Sequence, residues 1–371
     1  MRLADLPTPC LVLDRMILQR NLERMAGVAA AQGLKLRPHL KTAKSIDVAR
    51  AALAIGDVHD GGITVSTLAE AEYFVGHGIA DILYAAGITP QKLEQVCKLN
   101  AAGGSIMVIT DDLRMAGLIA DQPLPPRTLI EIDCGEHRGG ISADNPGLLD
   151  IGARLGPALA GIMTHAGHSY GARTIADIAM IAEAERRAAV EAARRLTAAG
   201  LSSPIVSMGS SPTALHARSL DGVTELRAGV YMFGDLFQAE IGTHGIDDIA
   251  LTVLASVIGL RPRENRILVD AGGLALSKDR STEATPHDWG YGLMLDMMGQ
   301  RSYGDAVIRR AYQEHGVVEL DAAVPAGSFA IGDKVRIAPN HTCMTAAAHD
   351  RYFVTEGLDV VTAIWPRVNG W

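Results

Sequence analysis

The sequence has no excess of positive charge. Its 371 residues include 34 lysines and arginines against 42 aspartates and glutamates, which gives a net charge of −8 with histidine neutral. An acidic balance favours the solubility of a globular protein but provides no basic surface for a nucleic-acid backbone. We therefore expect no nucleic acid among its partners.

Long apolar runs are also missing, and the N-terminal segment gives no reason to expect a secretory signal. No stretch reaches the ~18 apolar residues of a membrane helix, and the N-terminus, MRLADLPTPCLVLD, has no charged head followed by an apolar core. Cysteine is scarce, and its four copies are scattered, which is typical of reduced thiols; they are Cys10, Cys97, Cys134 and Cys343. These absences predict a cytoplasmic protein with no membrane partner.

What the sequence does contain is an alternation of two kinds of segment. Short β-branched runs are separated by longer helical patterns such as IADIAMIAEAERRAAVEAARRLTAAG. This alternation is typical of parallel βαβ units, and eight units in about 230 residues predict a (β/α)8 TIM barrel; a doubly wound open sheet is the alternative. The predicted strands are Leu36–Leu40, Ile63–Ser66, Ile82–Ala85, Ser105–Ile109, Thr128–Asp133, Ala160–His165, Ile205–Met208 and Glu225–Leu226 with their neighbours.

The pattern changes near residue 250. The segments LTVLASVIGL, NRILVDAG, SFAIGDKVRIAPN and YFVTEG are strand-like and separated by turn residues, with few long helical patterns between them. We predict a barrel over residues 14–249 and a second, mainly β domain over 250–371. Residues 1–13 are assigned to this second domain, which the strand-like segment CLVLD at the N-terminus would join.

Several residues with useful chemistry follow the predicted barrel strands, where catalytic groups of such barrels lie. Lys41 follows the first strand, and a lysine there is either a nucleophile toward carbonyls or a side chain that reaches the rim. Gly209, Ser210 and Ser211 follow the seventh strand and offer N–H groups and hydroxyls that suit a phosphate, or form a plain turn. Gly229, after the eighth strand, could complete a phosphate site.

His341 and Cys343 form a second candidate site. They lie two residues apart after a strand-like segment, and in an extended chain such residues point to the same face. An imidazole and a thiolate together suit Zn²⁺, and two protein ligands leave positions open for water or substrate. Taken alone, an H-x-C pair is a weak signal.

The motifs in combination are more specific. RPHLKTAKS, THAGHSY, GSSPTAL, DGVTELRAGVYMFGD, QEHG and PNHTCMT occur in this order, and together they resemble the D-serine dehydratase and D-threonine aldolase family of fold-type III pyridoxal-phosphate enzymes. The resemblance extends from Thr8 and Pro9 to Trp371 and is strongest to the dehydratases. It implies an alanine-racemase-type barrel with a β domain, usually as a homodimer, and pyridoxal 5'-phosphate as cofactor.

The resemblance also implies a role for each matching residue. Lys41 takes the place of the Schiff-base lysine, and His341 and Cys343 take those of the metal ligands, with Zn²⁺ expected and Mn²⁺ or Mg²⁺ as substitutes. The cofactor-binding residues implied are Lys41, Arg138, Tyr170, Gly209, Ser210, Ser211, Gly229 and Tyr231. Many relatives have a histidine where this chain has Ala43, so any role of that histidine is absent here or is performed by another residue.

Two reactions fit these residues. In a dehydratase, Lys41 removes the Cα proton, and the metal helps the β-hydroxyl of a D-3-hydroxy amino acid to leave, so that a 2-oxo acid and ammonia form. In an aldolase, a base such as His165 takes the hydroxyl proton, and glycine and an aldehyde form. The H-x-C pair favours the dehydratase, because related aldolases tend to have H-x-D. A non-catalytic pyridoxal-phosphate-binding protein is a third hypothesis, which the second domain disfavours, and a racemase would need no metal at the β-carbon.

Overall fold

The computed structural model describes residues 1–371, which form two compact units. Unit 1 comprises Met1–Leu22 and Val230–Arg367, and unit 2 comprises Glu23–Gly229 and Val368–Trp371. The sequence predicted the boundaries between the two domains after residues 13 and 249, whereas the two units divide after Leu22 and Gly229. The segment after Gly229 is tied into unit 1 because Asn21 Nδ2 donates to the carbonyls of Met232 and Asp248, and Ala250 N donates to Phe233 O.

Strands and helices alternate in the first part of the chain, and strands dominate the second. The strands are β1 Cys10–Asp14, β2 Lys35–Pro38, β3 Ile63–Val65, β4 Asp81–Gly87, β5 Ser105–Thr110, β6 Thr128–Asp133, β7 Ile141–Ser142, β8 Leu159–Thr164, β9 Ile205–Met208, β10 Glu225–Ala228, β11 Leu251–Arg261, β12 Arg266–Val269, β13 Gly292–Leu295, β14 Val307–Ala311, β15 Gly316–Glu319, β16 Lys334–Pro339, β17 Arg351–Thr355 and β18 Ala363–Pro366. The α-helices are α1 Arg15–Ala31, α2 Ile46–Leu53, α3 Leu68–Gly76, α4 Pro90–Ala101, α5 Leu113–Ala120, α6 Gly147–Leu155, α7 Ile175–Ala198, α8 Ser211–His216, α9 Leu236–Glu240, α10 Gly273–Leu276 and α11 Thr342–Ala346. No helix has both the length and the apolar character needed to cross a bilayer.

Unit 2 contains a parallel β-barrel. Its strands follow the order β2, β10, β9, β8, β6, β5, β4, β3, and the barrel closes where His39 bridges to Thr64 and Leu40 N donates to Thr64 O at 2.8 Å. The predicted (β/α)8 barrel is therefore confirmed, and each of the eight predicted strands is present.

The barrel helices begin at residues whose side chains cap them. Thr67, Thr89, Asp112 and Thr174 each accept a hydrogen bond from the backbone N–H three residues ahead, at the starts of α3, α4, α5 and α7. These side chains satisfy donors that the first turn of a helix leaves without partners. The loops that lead from the strands to these helices therefore end at defined residues, and this restrains the strand ends that carry the candidate residues.

A network of charged side chains lies inside the barrel. Arg37 on β2 donates from Nε to Glu225 on β10 at 2.7 Å and from Nη1 to Asp81 on β4 at 3.0 Å. Since β3 lies between β2 and β4 in the closed barrel, this contact spans β3. Ser207 Oγ donates to the other oxygen of Glu225 at 2.6 Å. Buried charges are thereby paired rather than isolated.

Unit 1 contains a second, mainly antiparallel sheet. The strands β12, β15, β14, β13, β16 and β11 form a closed series, because β11 pairs with β12 as well as with β16. From β11 the sheet continues through β1 and β17 to β18. The predicted β domain is confirmed, as is the participation of CLVLD, which forms β1; β13, β14, β15 and β18 were not predicted.

Breaking the Arg37 network should destabilise the protein strongly. Arg37→Met leaves Glu225 buried without its cationic partner, and we expect the free energy of unfolding to fall by about 3 kcal/mol. Arg154→Met is the matched control, because Arg154 pairs with Asp121 on the surface and should lose less than about 1 kcal/mol. Equilibrium urea denaturation measures both losses, and equal losses would contradict the role of burial.

Candidate active site

Lys41 lies just beyond the line where the barrel closes. Strand β2 ends at Pro38, His39 forms the bridge to Thr64, and the Lys41 N–H donates to His39 Nδ1 at 3.4 Å. The Lys41 side chain is exposed. Burial lowers the pKa of His39 well below its ordinary value, and the charge of Lys41 lowers that pKa further. The lysine amine is therefore accessible and lies near a neutral imidazole.

His165 directly follows β8 and is held in one tautomer. Its Nδ1 lies 3.1 Å from the carbonyl oxygen of Gly209, and because a carbonyl can only accept, Nδ1 carries the proton and Nε2 carries a lone pair. Burial, followed by the charge of Lys41, lowers the pKa of His165 to about 3. His165 is a neutral side chain that can accept a proton or a hydrogen bond through Nε2.

Two strand ends on this side of the barrel have no room for a larger side chain. A Cβ on Gly209, whose φ is +131°, would lie 2.5 Å from Arg227 O, and a Cβ on Gly229 would lie 2.7 Å from His39 O. Ser210 and Ser211 are buried after Gly209, and Ser210 Oγ accepts from Thr213 N at the start of α8. The small residues and hydroxyls at these strand ends line a cradle whose composition suits a phosphate.

The other predicted cofactor residues are placed as follows. Arg138 is exposed after β6, 3.5 Å from Glu136, and its charge contributes to lowering the pKa of His165, after burial and Lys41. Tyr170 lies in a short 3-10 helix, Gly167–Gly171, next to Ser169, whose hydroxyl contacts Ser210 Oγ at 2.9 Å. Tyr231 is buried in unit 1, where burial raises the pKa of its phenol.

Glu185 is a central residue that the sequence analysis missed. It lies on α7 and is fully buried. Its Oε1 accepts hydrogen bonds from Ala166 N, Gly209 N and Thr164 Oγ1, at 3.0 to 3.1 Å. One carboxylate oxygen therefore connects the ends of β8 and β9, and burial raises the pKa of this carboxyl.

His39 and Arg227 were also missed, although both lie inside quoted motifs. Arg227 is buried on β10, donates from Nη1 to Ser207 Oγ at 2.8 Å, and donates from Nη2 to Thr164 O. Its charge contributes to lowering the pKa of both His39 and His165, after larger effects of burial and Lys41. The sequence signal that could have identified Arg227 is its place on a predicted strand, two residues before Gly229.

His341 and Cys343 are brought together in unit 1, but not in the way predicted. His341 is extended, with φ −136° and ψ 104°, whereas Cys343 lies in the first turn of α11. The prediction that both belong to one extended segment is wrong, because the helix begins at Thr342 and Asp235 accepts the N–H of that residue at 2.9 Å. The imidazole and the thiol nevertheless form a hydrogen bond with each other.

Two carboxylates lie around this pair. Asp279 Oδ2 is 2.5 Å from His341 Nδ1, and buried Asp235 acts on the same imidazole through its charge. Burial lowers the pKa of His341, but the hydrogen bonds with Asp279 and Cys343 and the nearby negative charges outweigh burial and raise it to about 11. Negatively charged surroundings that stabilise a protonated imidazole also favour a divalent cation at this position.

The chemistry of these donors fits a divalent metal. A neutral imidazole and a thiolate are the ligands that Zn²⁺ prefers. No group of three or more His, Cys, Asp or Glu side chains is arranged to hold an ion. An ion at His341 and Cys343 would therefore have two protein ligands, with further positions for water or substrate.

Comparisons with known proteins agree with this description. Residues 13–236 match the model of the alanine racemase N-terminal domain, and residues 250–355 match that of a putative serine dehydratase domain. D-threo-3-hydroxyaspartate dehydratase of Delftia sp. (strain HT23) is 44% identical to this chain. The aligned region covers 100% of this chain and 99% of the Delftia protein. D-serine dehydratase of Dictyostelium discoideum is 30% identical over 94% of this chain and 93% of its own.

Solved structures extend the likeness to three dimensions. The structure of the Delftia dehydratase has a TM-score of 0.95 at 43% identity, and each chain is covered completely. Variants of that enzyme with a histidine or a cysteine replaced by alanine have also been solved, the cysteine variant in the metal-free form. D-threonine aldolase from Filomicrobium marinum has a TM-score of 0.82 at 27% identity, covering 99% of this chain and 96% of its own.

The neutral state of His165 should make the protein sensitive to acid. Its folded pKa of about 3 lies below the ordinary value of 6.5, so the stability gained from the neutral ring is complete above pH 6.5 and is lost as the pH falls toward 3. Between pH 7 and pH 5 the wild type should lose about 1 to 2 kcal/mol more than His165→Asn. Urea denaturation at both pH values measures this difference.

His77→Asn, which changes an exposed histidine, is the control and should keep the pH dependence of the wild type. If His165→Asn also keeps it, the buried neutral ring is not the cause.

Proposed function

Because the chain belongs to the D-serine dehydratase and D-threonine aldolase family, we propose that it is a pyridoxal-phosphate- and metal-dependent dehydratase of D-3-hydroxy amino acids. Its products would be a 2-oxo acid and ammonia, and its candidate substrates are D-serine, D-threonine and D-threo-3-hydroxyaspartate. The observation that carries the proposal is the likeness to the Delftia dehydratase along the whole chain.

The residues of unit 2 fit pyridoxal phosphate. Lys41 would hold the cofactor through its amine, and the cradle at Gly209, Ser210, Ser211 and Gly229 would receive the phosphate, with Tyr231 assigned to the same function by family resemblance. Arg138 and Tyr170 are assigned to the cofactor ring on the same basis. When bound, pyridoxal phosphate withdraws electrons from the α-carbon of an amino acid joined to it.

Lys41 has a second task in this proposal. Once its Nζ is free, it takes the proton from the substrate Cα as a general base. Burial, and after it the charge of Lys41, lowers the pKa of the neighbouring imidazoles of His39 and His165, so both are weak bases. The Lys41 amine is thus the basic group assigned to Cα.

His341 and Cys343 would hold the divalent ion, with Zn²⁺ proposed and Mn²⁺ or Mg²⁺ as substitutes. When bound, the ion acts as a Lewis acid toward the β-hydroxyl, because hydroxide is a poor leaving group. Loss of the Cα proton and of hydroxide, followed by hydrolysis, gives the 2-oxo acid and ammonia. We also propose a cytoplasmic homodimer, on the basis of family resemblance; sedimentation analysis tests the dimer.

Retro-aldol cleavage is the second candidate, and the geometry of His165 favours it. A base must remove the hydroxyl proton in that reaction, and His165 has a free lone pair on Nε2 because its Nδ1–H donates to Gly209. The likeness to an aldolase structure is lower than the likeness to the dehydratase. We therefore place the dehydratase first.

The products formed from D-amino acids test the proposal. With D-serine, D-threonine and D-threo-3-hydroxyaspartate, we expect 2-oxo acid and ammonia in equal amounts from at least one substrate, and no turnover of the L isomers. Glycine with an aldehyde would instead identify the aldolase, and an inverted amino acid would identify a racemase. Chromatography of the products with enzymatic detection of ammonia distinguishes the three outcomes.

Lys41→Ala is the control for this assay and should abolish turnover. Lys44→Ala is its matched partner, because Lys44 is close in sequence but pairs with Glu70 at 2.9 Å; it should remain active. Borohydride treatment of the wild type should attach the cofactor to Lys41, and mass spectrometry that finds it on Lys44 would contradict the assignment.

Removal of the metal should stop β-hydroxyl chemistry and leave cofactor binding intact. After chelation, or in Cys343→Ala, we expect turnover to fall by about 100-fold or more, while the visible absorbance of the bound cofactor and exchange of the Cα proton persist. Cys97→Ala, which changes a half-buried cysteine of unit 2, is the control. Full activity of a metal-free protein would reject this role of the metal.

A further inference from the structure

The contact between Asp279 and His341 assigns a role to a residue that the proposed function leaves out. Asp279 Oδ2 lies 2.5 Å from His341 Nδ1. An ionised carboxylate can only accept, so the proton of the hydrogen bond lies on Nδ1. When an ion displaces the second proton of the ring, the lone pair of the imidazole is therefore on Nε2, the nitrogen that remains for the ion.

Asp279 is itself held in place. Its Oδ1 accepts from Ser281 Oγ at 2.6 Å, and its N–H donates to Ser277 Oγ at 3.2 Å. On either side, Lys278 Nζ donates to Ala311 O, and Arg280 pairs with Asp288. Both carboxylate oxygens therefore have donors, and the Asp279 side chain has one defined orientation toward His341.

The backbone of His341 is fixed by the residues on either side of it. Asn340 is buried, and its side-chain amide donates to Thr282 Oγ1 and to Gly290 O, both at 2.7 Å, while its oxygen accepts from Thr282 N. On the other side, Asp235 accepts from Thr342 N at 2.9 Å. With the backbone fixed, rotation of the ring is the freedom that remains, and Asp279 restrains it.

We propose that Asp279 is a positioning residue of the metal site, which orients His341 so that Nε2 faces the ion and makes this nitrogen a better ligand. This inference rests on the proposed metal site at His341 and Cys343. Carboxylates that accept the second N–H of a ligand histidine fix the tautomer and raise ligand basicity, and their loss typically weakens metal binding by about 10- to 100-fold. A site with only two protein ligands depends strongly on the orientation of each.

The affinity for zinc tests this role without relying on turnover. The dissociation constant of Zn²⁺ is measured for the full-length holoenzyme by competition with a metallochromic chelator. Asp279→Ala should weaken binding by about 10- to 100-fold. Ser281→Ala, which frees the other oxygen of Asp279, should weaken binding to a smaller extent. The visible absorbance of the cofactor, unchanged in each variant, verifies that the protein is folded.

Glu283→Gln is the matched control, because it removes one negative charge from the same loop at an exposed carboxylate that pairs with Arg280. It should bind Zn²⁺ as tightly as the wild type does. If Asp279→Ala also binds as tightly, or if Glu283→Gln weakens binding as much as Asp279→Ala, the positioning role is overturned. A wild type that binds no divalent ion would instead overturn the proposed metal site itself.

Discussion

Closure of the parallel barrel is the constraint on which the arrangement of unit 2 depends. The seam is narrow: β2 is hydrogen-bonded to β10 along its length but meets β3 through the single bridge of His39 with Thr64. The backbone of β10 must also approach that bridge closely, which is why Gly229 has no space for a side chain. Lys41 comes two residues after the bridge, so the amine that we propose holds the cofactor extends from backbone next to the point of barrel closure.

Inside this frame, a few buried polar groups determine what the strand ends can do. Glu185 reaches from α7 to the ends of β8 and β9 and fixes the backbone of Gly209. The carbonyl of Gly209 then sets the tautomer of His165. The unit 1 site follows a similar logic, because Asp279 sets the tautomer of His341. In both sites an acceptor oxygen determines which nitrogen of a histidine is available: the Gly209 carbonyl, held by Glu185, for His165, and the Asp279 carboxylate for His341.

The strand–helix alternation was sufficient to predict all eight barrel strands, because most of them are short apolar runs that separate helical segments. β13, β14, β15 and β18 were missed because each has only four or five residues and is defined by its antiparallel pairing rather than by a pattern of its own. The candidate residues at strand ends were found through their motifs. Glu185 and Asp279 were not, since a glutamate in a charged helix and an aspartate 62 residues before its histidine look like surface residues until the fold brings them inward.

The position of β1 has a consequence for how the chain folds as it is synthesised. This strand leaves the ribosome before every strand of the barrel, yet its sheet partners are β11 and β17, which begin at Leu251 and Arg351. All eight strands of the parallel barrel emerge between them. The pairing of β1 with β17 therefore cannot form until residues 351–355 have been synthesised, and it depends on contacts of very high sequence separation, which form slowly. Until then the apolar strand Cys10–Asp14 lacks its partners, which leaves the nascent chain vulnerable to aggregation through this strand.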